Sequence, residues 1–165
     1  PDTGGVWSDL IATDIYAQLS GVLDKERGQI GRTLVSVLDK TRKMTVEHIT
    51  AIQQLRAELN AGLERLFDEF DLLLTPTMPT EAFAAGGPPP AEIDGTPIPL
   101  LGAVAFTYPF NFSGHPAATV PAGLTLNGLP AGLQIVAPRH KDSLVLQAAY
   151  AYEKAMPWSD KWPDL

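Results

Sequence analysis

Proline divides this chain into two stretches that cannot fold alike. After Pro1, the next of its 15 prolines is Pro76. A proline inside a helix removes a hydrogen bond and clashes with the preceding turn, at a cost of about 3 kcal/mol or more. Residues 1–70 are therefore free to be helical, and the later part is broken into short elements. Apolar spacing supports the first half of that reading. Val6, Leu10, Ile11, Ile15 and Leu19 recur at helical intervals, as do Ile30, Leu34, Val37 and Leu38. The longest stripe runs Val46, Ile49, Ile52, Leu55, Leu59, Leu63, Leu66, Phe67, Phe70. It predicts an amphipathic helix with one face on a core, started by Thr45 as N-cap. The charges between these stripes read as a solvated face.

Residues 72–138 contain no Lys or Arg, and their acids are Glu81, Glu92 and Asp94. "DLLLTPT" (71–77) is a short apolar run ended by Pro76, the pattern of a strand buried on both faces. A long irregular passage follows over 76–116, interrupted by a short helix around 98–106. "AATVPAGLTL" and "LPAGLQIVA" flank Asn127-Gly128. That pair predicts a tight hairpin turn with positive φ at both residues, joining the strand of Val120 to the strand of Ile135. Gln134 interrupts an otherwise apolar strand. Its amide either satisfies backbone groups of a loop or borders a ligand pocket. Asp142 caps a closing helix over 142–155. The expected class is α/β (α+β): a mixed sheet of strands near 71–75, 117–125 and 131–137, covered by helices. The 165 residues form one segment of one domain,.

The formal net charge of −7 and the lack of a basic stripe argue against nucleic acid or an anionic membrane as partner,. Cysteine is absent, which is compatible with a reducing cytoplasm, the expected location,. No apolar stretch reaches the ~18 residues of a membrane span. His48, His115 and His140 are scattered and H-E-x-x-H does not occur, so no metal site is expected,. Ser113, His115 and the upstream Asp94 invite comparison with a catalytic triad. The Gly-x-Ser-x-Gly elbow is missing, and a loop serine beside a turn histidine is the favoured reading.

Several motifs in order resemble the C-terminal part of the amidase signature family. They are "DLLLTPTMP", then Thr107, Pro109, Asn111, Gly114 and Pro116 in a T-x-P-x-N-x-x-G-x-P pattern, then "ATVPAG", then "GLPAGLQIV" with its Gln134, then the Asp-capped helix. The resemblance implies hydrolysis of an amide to acid and ammonia or amine, without a cofactor. It implies a serine nucleophile, a second serine in a cis peptide and a lysine, carried by a Gly/Ser-rich segment such as G-S-S-G-G. No such segment occurs in these 165 residues. With the Pro1-Asp2-Thr3 start, this leads to the expectation of a C-terminal piece with no catalytic residue of its own. Its partners would be a small amide substrate and the N-terminal catalytic portion of the same enzyme; a homo-oligomer stays open. In the tRNA amidotransferase branch of the family an acidic residue holds the substrate's amino group where this chain has Val104. A neutral or apolar amide is favoured accordingly.

Within that picture, residues 75–77 and 107–111 are expected to face one cleft. Each sits where an element gives way to a proline-rich loop. The candidate substrate wall is Thr75, Thr77, Phe106, Thr107, Tyr108, Phe110 and Asn111, nearly neutral because cations are absent nearby,. Core packing of the aromatics is the competing reading. Two rival functions are a noncatalytic binding module derived from an amidase, and a helical interaction protein using residues 1–70.

Overall fold

Helix formation in the first part of the chain follows the apolar spacing. The computed structural model describes residues 4–99 and 101–159. It divides the chain into two compact units, Pro1–Leu59 and Asn60–Leu165. The first contains α1 (Gly4–Glu26), a 3₁₀ turn (Arg27–Gln29), α2 (Arg32–Thr41) and the start of α3 (Val46–Phe67). Thr45 caps α3 as expected: its Oγ1 accepts the His48 N–H at 3.2 Å,. The long stripe is covered at its middle, where Ile52 is buried, but Val46 is 76% exposed. Leu38 and Thr41 bury α2, and Ala12 and Leu23 bury α1.

The solvated face expected between the stripes has one exception. Asp9, only 6% exposed, lies on the buried side of α1. Its carboxylate accepts from Lys40 Nζ on α2 at 2.8 Å and meets His48 Nε2 on α3 at 3.0 Å. A buried carboxylate survives where partners replace its water. Burial alone would raise the Asp9 pKa; the hydrogen bonds and charges of Lys40 and His48 outweigh it and leave the carboxyl below its ordinary value,. Arg42 to Asp24 and Arg27 to Asp39 are exposed pairs on the rim, each worth little.

The second unit contains β1 (Leu73–Pro76), the short strands β2 (Glu92–Ile93) and β3 (Thr96–Pro97), α4 (Tyr108–Ser113), β4 (Ala117–Leu124), β5 (Pro130–Val136) and α5 (Asp142–Ala155). The larger sheet has the order β1-β5-β4. The α/β (α+β) class is as expected, and both pairings of this described sheet are antiparallel. The central strand carries the buried row Gln134, Ile135 and Val136. The last helix, α5, packs on β4 and β5 and buries Val145.

Three local expectations are corrected. The β4–β5 hairpin pairs Val120 with Leu133, two residues from Ile135, as anticipated. Of its turn pair, however, only Gly128 is left-handed (φ 78). Gly128 N–H donates to the Thr125 carbonyl at 3.0 Å, so the turn spans four residues with the glycine in last place,. Asn127 keeps a negative φ because it occupies the third place, and its Nδ2 donates to Glu81 at 2.7 Å. The tight turn with two left-handed residues occurs instead at Asp94 (φ 48) and Gly95 (φ 71), between β2 and β3. The helix expected around 98–106 is a 3₁₀ turn at Gly102–Val104 followed by a separate α4. Pro109 lies in the first turn of α4, where its missing N–H costs nothing, and Gly114 (φ 77) closes the helix,. Finally, Asp142 is the first helical residue of α5 and makes no side-chain cap; Lys141 holds the cap position. Asp142 acts there as a negative charge beside the helix N-terminus.

Candidate functional site

The antiparallel register places Thr75, Gln134 and Thr119 side by side across the sheet. Side chains alternate along a strand, so Thr77 and Gly132, two residues on, share that face. The consequence is a polar row on strands that otherwise read as apolar. Thr77 Oγ1 donates to Thr119 Oγ1 at 3.3 Å. Gly132 leaves the room for this: a Cβ there would stand 2.6 Å from Thr77 Oγ1 and 2.9 Å from Thr119 Cγ2. Beside these groups runs a groove of about 370 Å³ whose lining includes Thr77, Met78, Thr119, Pro121, Gly132 and Trp158. None of the groove's lining residues is charged.

Gln134, 3% exposed, closes this face against the loop before α4. Its Nε2 donates to Thr75 Oγ1 at 2.9 Å and to the Phe106 carbonyl at 2.8 Å. Of its two sequence readings, satisfying a loop's backbone is therefore what the geometry shows. These bonds tie Thr75, in the first segment singled out from the sequence, to Phe106, the residue just before the second. Thr107 stands at the N-cap of α4 with its Oγ1 donating to the Val104 carbonyl at 3.1 Å. Phe106 is 37% exposed, whereas Tyr108 and Phe110 are buried at 9% and 7%. Asn111 is on the exposed side of α4. The sequence reading missed Thr119 and Gly132. The hairpin pairing it expected contained the signal, since a Val120–Leu133 pair puts Thr119 opposite Gln134.

Ser113 and His115 do meet, with His115 Nδ1 2.9 Å from Ser113 Oγ. Ser113 is wholly buried and also donates to the Phe110 carbonyl at 3.4 Å. Asp94 is exposed in the β2–β3 turn. The His115 ring stacks on Phe67, centroids 5.5 Å apart. Burial, then the charge of Arg139, depress its pKa,. These features belong to packing rather than to a triad. Among the described residues no cluster of His, Cys, Asp or Glu could hold a metal ion, and no helix is long and apolar enough to cross a membrane.

The antiparallel core with its buried glutamine, the Thr-Pro-Thr strand end and the α4 corner bring the motifs of the resemblance together in space. The family model described as Amidase matches residues 14–146, and the chain belongs to that family. It is 32% identical over 161 residues to an acylamidase of Rhodococcus erythropolis, covering 96% of this chain and 33% of that protein. It is 38% identical over 113 residues to a glutamyl-tRNA(Gln) amidotransferase component of a Cyanothece species, covering 68% of this chain and 22% of that protein. The crystal structure of a bacterial aryl acylamidase of the amidase signature enzymes superposes with a TM-score of 0.79 at 36% identity. It covers 93% of this chain and 33% of that one. The chain thus spans about a third or less of the relatives it matches.

Proposed function

We propose that this chain serves an amidase: an enzyme that cleaves a carbon–nitrogen amide bond with water to give an acid and ammonia or an amine. In this reading the 165 residues supply scaffold and one wall of the amide-binding cleft. The serine–serine–lysine chemistry comes from a Gly/Ser-rich segment that this sequence does not contain,. The observation that carries the reading is the Thr75–Gln134–Phe106 bridge. It holds the end of β1 and the corner before α4 together, both within a stretch of sequence (72–138) free of Lys and Arg. Thr75, Thr77, Phe106 and Thr107 form the wall, with Asn111 at its outer edge and Tyr108 and Phe110 backing it from the core. A surface of hydroxyls and aromatic carbon without charge suits a neutral amide with an apolar group. Val104, half-buried just before this corner, offers nothing to an ammonium. The catalytic portion is the partner, and a cytoplasmic site of action belongs to the same proposal.

The test uses the whole enzyme that carries this segment, assayed on neutral aryl and alkyl amides and on glutamine. Release of amine or ammonia from the neutral amides, with kcat/KM for glutamine far lower, supports the reading. Preference for glutamine, or no amide turnover at all, overturns it.

A further inference from the structure

Proton accounting around Gln134 fixes what its amide can do. The Phe106 carbonyl has no hydrogen, so the side-chain atom 2.8 Å away must be the nitrogen,. The Thr75 hydroxyl gives its single proton to the Pro76 carbonyl at 2.9 Å, so toward Gln134 it can only accept,. Both amide protons are thereby spent inside the protein, and neither is left for a substrate.

What they hold is equally defined. Among the described residues, further hydrogen bonds of the 101–107 segment are local: Gly102 N–H to Pro99, Val104 N–H to Leu101, Ala105 N–H to Gly102, Thr107 N–H and Oγ1 to Val104, and Phe110 N–H to Thr107. They shape the corner but do not attach it to the sheet. Gln134 does, from the most buried strand of that sheet. We infer that Gln134 is a positioning residue. By gripping the Phe106 carbonyl against Thr75, it sets where the half-exposed Phe106 ring stands, and so which acyl or amine sizes the cleft admits. This rests on the amidase reading above and adds to it the element that governs selectivity.

Two substitutions separate positioning from mere packing. Gln134→Met keeps length and loses both donors; Gln134→Glu turns acceptors toward the Phe106 carbonyl. In the whole enzyme, hydrogen exchange followed by mass spectrometry should show faster exchange over 101–110 in Gln134→Met, with the helices of residues 4–67 unchanged. Over a series of neutral amides of graded size, the ratio of kcat/KM between the smallest and the bulkiest should move by about tenfold, the worth of roughly one methylene in an apolar pocket. The change should fall mainly on KM. Thr75→Val should move the ratio the same way, and the double variant should go little further, since both act through one chain of bonds. Equal loss for every amide, or unchanged exchange over 101–110, overturns the inference. If Gln134→Met does not fold, Thr75→Val alone decides by the same two readouts. A wild-type enzyme inert toward all amides overturns the amidase reading, and the exchange result then decides the brace by itself.

Discussion

His115 turns its Nδ1 to the hydroxyl of Ser113, 2.9 Å away. The Ser113 hydroxyl also lies 3.4 Å from the Phe110 carbonyl, so it sits between the imidazole and the α4 backbone. Protonation of the ring works against burial and the charge of Arg139, with Glu64 opposing them, and the His115 pKa lies below its ordinary value,.

The pH dependence follows. A histidine whose folded pKa lies below its unfolded value of about 6.5 binds protons more readily when unfolded. Its effect on stability is absent well above that value and grows as the pH falls through the window between the two. Thermal melts of wild type and His115→Phe, which keeps an aromatic ring against Phe67, should diverge in slope between about pH 7 and 5. Wild type loses Tm faster on acidification. Parallel curves would show that His115 does not titrate this way.

Asp9 acts with the opposite sign and at lower pH. Its folded pKa is depressed, so its contribution is complete above the unfolded carboxyl value of about 3.9 and fades as the pH drops through the folded one,. Asp9→Asn should cost about 1 kcal/mol at neutral pH, a charged hydrogen-bond pair discounted because Lys40 and His48 reach into solvent,. The gap between variant and wild type should close below about pH 4. A gap that stays constant through that acid range would contradict the ion-pair account.

Gly132→Ala should destabilise by about 1–3 kcal/mol, because the new methyl would stand 2.6 Å from Thr77 Oγ1 and 2.9 Å from Thr119 Cγ2, and β-branched side chains have few alternative rotamers,. Thr77→Ala in the same molecule should recover part of the loss. Urea denaturation of the two singles and the double measures the coupling, and simple additivity would mean the crowding is relieved elsewhere.

The 165-residue chain alone should hydrolyse no amide, since the Gly/Ser-rich segment expected to carry the serine–serine–lysine set is not in its sequence and loss of the nucleophile removes most of the rate,. In the whole enzyme, Ser113→Ala should lower Tm by leaving buried His115 Nδ1 without its hydrogen-bond partner, yet leave kcat/KM unchanged per folded molecule,. Loss of turnover with Tm intact would return Ser113 to the chemistry.

Legibility in the sequence tracks the range of the forces involved. Thr45 and the Ile52 stripe are readable because a cap and a helical face are decided within a few residues. The three strands are readable because apolar runs and prolines bound them, although β1 lies at the edge of the described sheet with Leu74 56% exposed instead of being buried on both faces. Asp9 is not, since what makes its burial tolerable is Lys40, 31 residues on, and His48, 39 residues on. The short helix α4 is hidden by Pro109, which looks like a breaker where its position makes it a starter. The Asn127-Gly128 pair promises more than it delivers, and Asp94-Gly95 less, because the same dipeptide chemistry serves turns of different length,. For the candidate site, the segments around Thr75 and Phe106 stand out by composition, but the amide joining them can be interpreted only in three dimensions.

The strand order also sets a timetable. β4 and β5 pair across a short turn, whereas β1 waits for a partner made much later: Thr75 and Gln134 are 59 residues apart. At about 5–20 residues per second of synthesis, that separation is roughly 3–12 s. For that interval β1 lacks the β5 ladder it joins in this sheet, and an unpaired apolar strand is a template for any other chain nearby. Slower translation downstream of Pro76 would lengthen the wait of β1 for its β5 partner.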